Sequence, residues 1–198
     1  MHKIIVGISI VILILLGCSH QKHTSCQQPI YAAWENGLTL SFESIDPFKH
    51  GYHINSRHTT RVSKSLQTQS GLFVIKTFCS PVEYKKIKMI CHNGGVLIQN
   101  NNSLDQTVLL PDGFPNKVSR WQSNGLFNRV IGRAVVSLSG NNIEGIWVES
   151  IPINSGCRIR TLYVHNIGEF QTIIWDANKN SWLPIMRLSD RTFTDTEI

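Results

Sequence analysis

Three histidines, His50, His53 and His58, crowd into a loop-like stretch that also holds Pro47 and Gly51. Imidazole is a common transition-metal ligand and titrates near neutral pH, so the group is a candidate metal or pH-sensing site. The acids close by in sequence are Glu43 and Asp46, a thin supply of further ligands, and three solvated loop histidines are the plainer reading. Glu144, Glu149 and Glu169 stand in the strand-rich second half. Paired carboxylates could do general acid–base work, but these have no distinctive spacing, and surface solvation is the expectation. A serine nucleophile would announce itself on a sharp G-x-S-x-G turn, and the chain has none. The residues thus assign no catalytic position, no metal site and no cofactor.

Cysteine chemistry is more informative. Cys18 ends the sequence Leu15-Leu16-Gly17-Cys18, which follows the apolar run Ile4–Leu16 and a single leading Lys3. A basic start, a short apolar centre and a small residue before the cut make a secretory signal. The run is too short for a membrane span, which takes about 20 apolar residues. The motif resembles the lipobox of bacterial lipoproteins. The resemblance implies cleavage before Cys18, acylation of its sulfur with palmitate-type chains, and a lipidated new amino terminus. Each buried CH₂ contributes about 0.8 kcal/mol, so two or three chains anchor a protein stably. Ser19 in place of Asp after the cysteine resembles the pattern of lipoproteins passed on to the outer membrane. The expected location is therefore the outer membrane, with the lipid anchor at Cys18 and the domain facing the periplasm. An ordinary cleaved signal or an uncleaved anchor is the alternative.

With Cys18 acylated, Cys26, Cys79, Cys91 and Cys157 remain. An even number in an oxidising compartment points to two disulfides, and the spacings are unlike paired C-x-x-C zinc ligands. If Gly71–Cys79 and Tyr84–Cys91 form a hairpin, Cys79 sits at its turn and Cys91 over 20 Å away at about 3.3 Å per residue. Bonded cysteines need Cα atoms within about 7 Å. Cys79 and Cys91 are thus expected to bond Cys26 and Cys157, in an order the sequence leaves open.

Removing residues 1–17 from the 198 leaves 181, enough for one domain with a good core. The net charge of +6 drops to +5 without Lys3. A basic surface favours anionic partners, but the densest groups, Lys85-Lys86 with Lys88 and Arg158 with Arg160, read as solvated strand faces. An extracytoplasmic location argues against nucleic acid. Five tryptophans, Trp34, Trp121, Trp147, Trp175 and Trp182, are many for this length. Aromatic residues build cores and anchor interfaces. Trp175 and Trp182 flank one turn and are placed to face each other across adjacent strands.

The elements that must position these residues are mostly strands. Leu38–Phe42 alternates apolar and polar residues, the period of a half-buried strand. Leu72–Cys79, Tyr84–Cys91 and Val96–Asn100 read as a meander, with His92-Asn93-Gly94-Gly95 as one tight turn. Val130–Ser139 and Ile143–Ile151 read as a hairpin, and Cys157–His165, Phe170–Asp176 and Trp182–Arg187 follow as strands. Pro29–Asn36 and Asn116–Asn124 read as short helices stopped by Gly37 and Gly125, while Arg57–Gln69 fits helix or strand. The expected fold class is α+β: β-rich, a mainly antiparallel sheet with hairpins and two or three short helices, braced by two disulfides. The expected organisation is a lipoprotein signal peptide over residues 1–17, a flexible tether over 18–28, one globular domain over 29–191 and a frayed tail over 192–198.

The functional expectation is a non-enzymatic, membrane-anchored envelope lipoprotein, a structural or assembly subunit of a larger complex such as a secretion or conjugation apparatus, with envelope proteins as partners. The alternative is a binding module for an anionic envelope polymer or lipid, such as peptidoglycan or lipopolysaccharide. A periplasmic hydrolase, with catalytic groups that meet only in three dimensions, is the remote third.

Overall fold

The computed structural model describes residues 31–193 apart from 34–36, 48, 50–53, 69–70, 80–83, 93 and 101–104. Within them lie β1 (Leu38–Ile45), β2 (Ile54–Thr68), β3 (Gly71–Cys79), β4 (Tyr84–His92), β5 (Gly95–Asn100) and β6 (Gln106–Leu110). The second half supplies β7 (Arg120–Ser123), β8 (Leu126–Leu138), β9 (Asn141–Pro152), β10 (Ile159–Val164), β11 (Gly168–Asp176) and β12 (Ser181–Phe193). The strands hydrogen-bond antiparallel in the order β6-β5-β4-β3-β2-β1-β12-β11-β10-β9-β8-β7. Each half is a meander, and the first strand pairs with the last.

That order forces curvature. The edges β6 and β7 are joined by residues 111–119 alone, a link that reaches about 35 Å at most. Twelve flat strands at about 4.8 Å would hold the edges roughly 53 Å apart. The sheet therefore curls, as sheets beyond about ten strands do, and β6 and β7 touch. Alternation sets what the curl encloses. Leu38, Leu40 and Phe42 of β1 are buried, as are Ile87, Met89 and Cys91 of β4 and Ile146 and Val148 of β9. Leu162, Tyr163 and Val164 are buried in succession, so the sheet is covered on both faces at the end of β10.

The α+β expectation is corrected: no helix occurs among the described residues. Tyr31, Ala32 and Ala33 form a turn and bend, all three buried, and the Gly37 N–H bonds the carbonyl of Val62 in β2. An amphipathic surface helix leaves one side in water; these three residues are all enclosed, and the rest of the expected helix, residues 29–30 and 34–36, lies outside the described residues. The second expected helix, Asn116–Asn124, is instead the end of a turn, two bends, the strand β7 and the first residue of the turn after it. Asn124 and Gly125 have φ of 50° and 70°, the two positive values of the tight turn that joins twisted strands. The Gly that resembled a helix stop closes the β7–β8 hairpin.

The two-disulfide brace is corrected as well. Cys157 is a free thiol, which leaves three of the four expected bridge cysteines and so no two bridges. The expected hairpin geometry does hold: Cys79 pairs Tyr84 and Phe73 pairs Ile90, so Cys79 lies at the turn end and Cys91 at the far end. What ties the ends of the described chain together is the β1–β12 ladder, with Leu38 opposite Phe193. Cys18, Cys26, the expected tether, and most of the expected tail lie outside the described residues, while β12 runs to Phe193.

One aromatic cluster plugs the curl. The Phe114 ring, from the 111–119 link, meets Tyr31 at 5.6 Å, Trp121 at 5.8 Å and Tyr163 at 6.4 Å between centroids. Sequence-distant segments are thus joined by edge-on ring contacts, which add about 0.5–1.5 kcal/mol per pair beyond area burial.

Candidate functional site

The strand register builds an arginine-lined carboxylate on each half of one sheet face. Across β8, β9 and β10, Arg129 pairs Glu149 and Glu149 pairs Arg160. Directly opposed residues point to the same face, so Glu149 lies between two guanidiniums. Its side chain is 0% exposed. The Arg129 Nε donates to Oε2 at 2.7 Å, Arg158 donates to Oε1 at 2.7 Å, and the Arg160 Nε donates to Oε1 at 3.3 Å. Burial pushes the Glu149 pKa up, but the hydrogen bonds and charges of Arg158 and Arg129 outweigh it and hold the group below its ordinary value.

The same device recurs across β2, β1 and β12. Glu43 pairs both Arg57 and Arg187. Arg57 reaches Oε1 at 3.3 Å, and Arg187 reaches Oε2 through Nε at 3.1 Å and its terminal nitrogen at 3.0 Å. Arg187 pairs Gln171, Gln171 pairs Leu162, and Leu162 stands two residues from Arg160, so both clusters occupy one face. Together they set five guanidiniums against two carboxylates, an excess of positive charge.

Two tryptophans complete the face. Trp175 pairs Trp182 across β11 and β12, as the flanking positions around their turn predict, with ring centroids 5.3 Å apart. The Arg160 guanidinium carbon lies 3.9 Å from the Trp182 centroid, and that of Arg158 5.4 Å from it. At this range an arginine and an indole attract. The expected surface carboxylate Glu149 is therefore a buried hub, and Arg158 and Arg160 are held rather than freely solvated. The period-2 alternation of Arg158 and Arg160 was visible; their convergence on Glu149 needed the β9–β10 register, which no single stretch encodes.

A second polar group lies in the interior. His58 is a strand residue stacked on Phe42 at 5.1 Å, while His50 and His53 fall outside the described residues. His58, Thr60, Tyr163 and Glu169 border a mostly apolar cavity of about 60 Å³. That is room for about four waters. Thr60 is 2% exposed, and its Oγ1 has no hydrogen-bond partner among the described residues. Burial lowers the pKa of His58, with a smaller opposing push from Glu169. Among the described residues, no three potential ligands gather to hold a metal.

No protein-family model and no curated protein matches the chain. Two solved structures share its fold. One, from Bacteroides fragilis, is described as an exported protein with a YmcC-like fold; it is 12% identical, with a TM-score of 0.56 over 83% of this chain and 99% of that one. The other, from Parabacteroides distasonis, is described as a lipoprotein; it is 12% identical, with a TM-score of 0.52 over 84% of this chain and 100% of that one. The likeness spans almost the whole of both proteins and is one of fold.

Proposed function

We propose that this chain is a non-enzymatic, lipid-anchored protein of the bacterial envelope that serves as an assembly subunit. The anchor rests on the lipobox resemblance at Cys18, and the descriptions of the two structural neighbours as exported and as a lipoprotein agree with it. The observation that carries the assembly role is the outer part of β8. β7 pairs only with residues 126–129 of that strand, so residues 131–138 have no second neighbour strand among the described residues. Ile131 and Val135 are exposed there, Val135 at 69%. An open edge with apolar side chains is a template for strand addition by a protein partner. The test is a photo-crosslinking amino acid at position 135 in intact cells, with position 178 as an exposed control. A discrete adduct with an envelope protein from position 135 alone supports the role; monomer alone, or the same adducts from both positions, removes it.

A second reading rests on the arginine–tryptophan face. Its positive excess and fixed guanidiniums suit an anionic envelope component. Salt-sensitive retention on a polyanion matrix, weakened when Arg57 and Arg187 are changed to Gln, is its test. Retention indifferent to salt or to those changes removes it.

A further inference from the structure

We infer that the end of this face around Phe127, Ile153 and Glu149 docks on the anionic headgroup layer of a lipid bilayer. The inference rests on the second reading above and names its anionic component. Phe127 stands two residues from Arg129 on β8 and pairs Ile151. The Ile153 N–H bonds the Gly125 carbonyl, which brings Ile153 beside the start of β8. Both apolar residues are exposed, Phe127 at 40% and Ile153 at 56%. Solvent-facing apolar side chains thus adjoin three arginines gathered on one carboxylate and two indoles.

Each part meets a different depth of a bilayer. Guanidiniums match phosphate oxygens in a planar, two-bonded geometry. Indoles settle at headgroup level. Apolar side chains beside basic ones enter the headgroup–acyl boundary. Glu149 offsets one positive charge and fixes all three arginines, so little side-chain freedom remains to be lost on docking. The nearby acid, Asp176, is already engaged by the Asn178 and Lys179 N–H groups at 2.9 and 3.3 Å. A soluble anionic polysaccharide fits less well. It would leave Phe127 and Ile153 uncovered, and Arg160 already occupies the ring face of Trp182 on which a sugar would stack.

The anchor permits the arrangement. Cys18 and Tyr31 are thirteen positions apart, a reach of up to about 45 Å. The β9–β10 ladder, from Val164 opposite Gly145 to Ile159 opposite Ser150, spans only about 17 Å.

The experiment places the full chain, as isolated from membranes, in phosphatidylcholine vesicles with and without phosphatidylglycerol, using brominated acyl chains that quench tryptophan by contact. Quenching should appear with phosphatidylglycerol, weaken in high salt and fall to the neutral-vesicle level in a Phe127→Ser, Ile153→Ser variant with a native circular dichroism spectrum. Changing Arg158 to Gln should weaken docking roughly fivefold, the worth of about 1 kcal/mol per basic residue. Equal quenching in both vesicle types, or quenching unchanged in the double variant, overturns the lipid assignment. Soluble dextran sulfate binding to the same protein in neutral vesicles separates the two failures. If it binds while anionic vesicles do not quench, the anion-binding face stands without lipid; if it does not bind either, both fail.

Discussion

Arg160 lies 3.9 Å from the Trp182 ring centroid while its Nε reaches Glu149 at 3.3 Å. One guanidinium thus serves a buried carboxylate on β9 and an aromatic ring on β12, crossing β11 to do so. A planar, delocalised cation can stack and donate at once, and a lysine ammonium cannot do both in the same geometry. The relationship links β9 and β10 to β12 on the face opposite Tyr163.

Changing Glu149 to Gln should destabilise the fold by about 1.5–3 kcal/mol, the range for hydrogen bonds to a charged group. The arginines are partly exposed and can turn to water, which keeps the loss in that range. Arg160→Lys removes the stacking and one bond and should cost about 1 kcal/mol. Urea unfolding followed by tryptophan fluorescence gives both values. If the lysine variant proves as damaging as the glutamine one, Glu149 is not the hub.

Acid should weaken the protein in two steps. The folded pKa of His58 lies below its ordinary 6.5, so the unfolded chain takes up that proton first, and stability falls as pH drops below about 6.5. The folded pKa of Glu149 lies below its ordinary 4.5. Its contribution is whole above that value and is lost as pH falls through the lower folded one. Stability measured against pH should lose its upper step in His58→Gln and its lower step in Glu149→Gln. An unchanged upper step in the histidine variant would sink the assignment.

The strands were legible because their chemistry is local. Leu38, Leu40 and Phe42 alternate, Gly71–Cys79 is bounded by turn residues, and the Trp175–Trp182 pairing follows from one short turn. Two adjacent glycines show where that reading stops. Gly94 has a φ of 82°, the need a turn announces in sequence. Gly95 is required for space: a Cβ there would lie 2.8 Å from the Asp112 backbone nitrogen, and that neighbour comes from beyond β6. The Asn116–Asn124 helix expectation failed for a related reason. Asn-Gly closes hairpins and also stops helices, and only the partner strand decides which. The arginine hubs were illegible because Arg129, Glu149 and Arg160 meet through register alone.

Cys157→Ser should leave stability within about 0.5 kcal/mol of the parent, as surface changes away from special features do. A native disulfide lost from this position would instead cost about 2–5 kcal/mol. The native protein should also react with one maleimide at Cys157 without prior reduction, identified by peptide mass. A large stability loss in the serine variant, with no labelling at this position, would restore a bridge.

Phe114→Ala should be the most damaging single change proposed. The ring is buried and touches Tyr31, Trp121 and Tyr163, so it joins the entering segment, the edge strand β7 and the interior of β10. Truncation removes its buried surface and leaves a cavity among rings too rigid to close it, for a loss of about 3–5 kcal/mol. Phe114→Leu keeps part of the volume and should lose less than half of that. Tyr31 adds a second signature. Its phenol is raised above the usual pKa by burial first and by neighbouring Glu144 second, so loosening the cluster should bring its titration back toward 10.0. Urea unfolding measures the stability, and ultraviolet difference spectra against pH measure the phenol. If alanine at 114 costs under 1 kcal/mol and leaves the Tyr31 titration in place, the aromatic plug does not hold the two halves together.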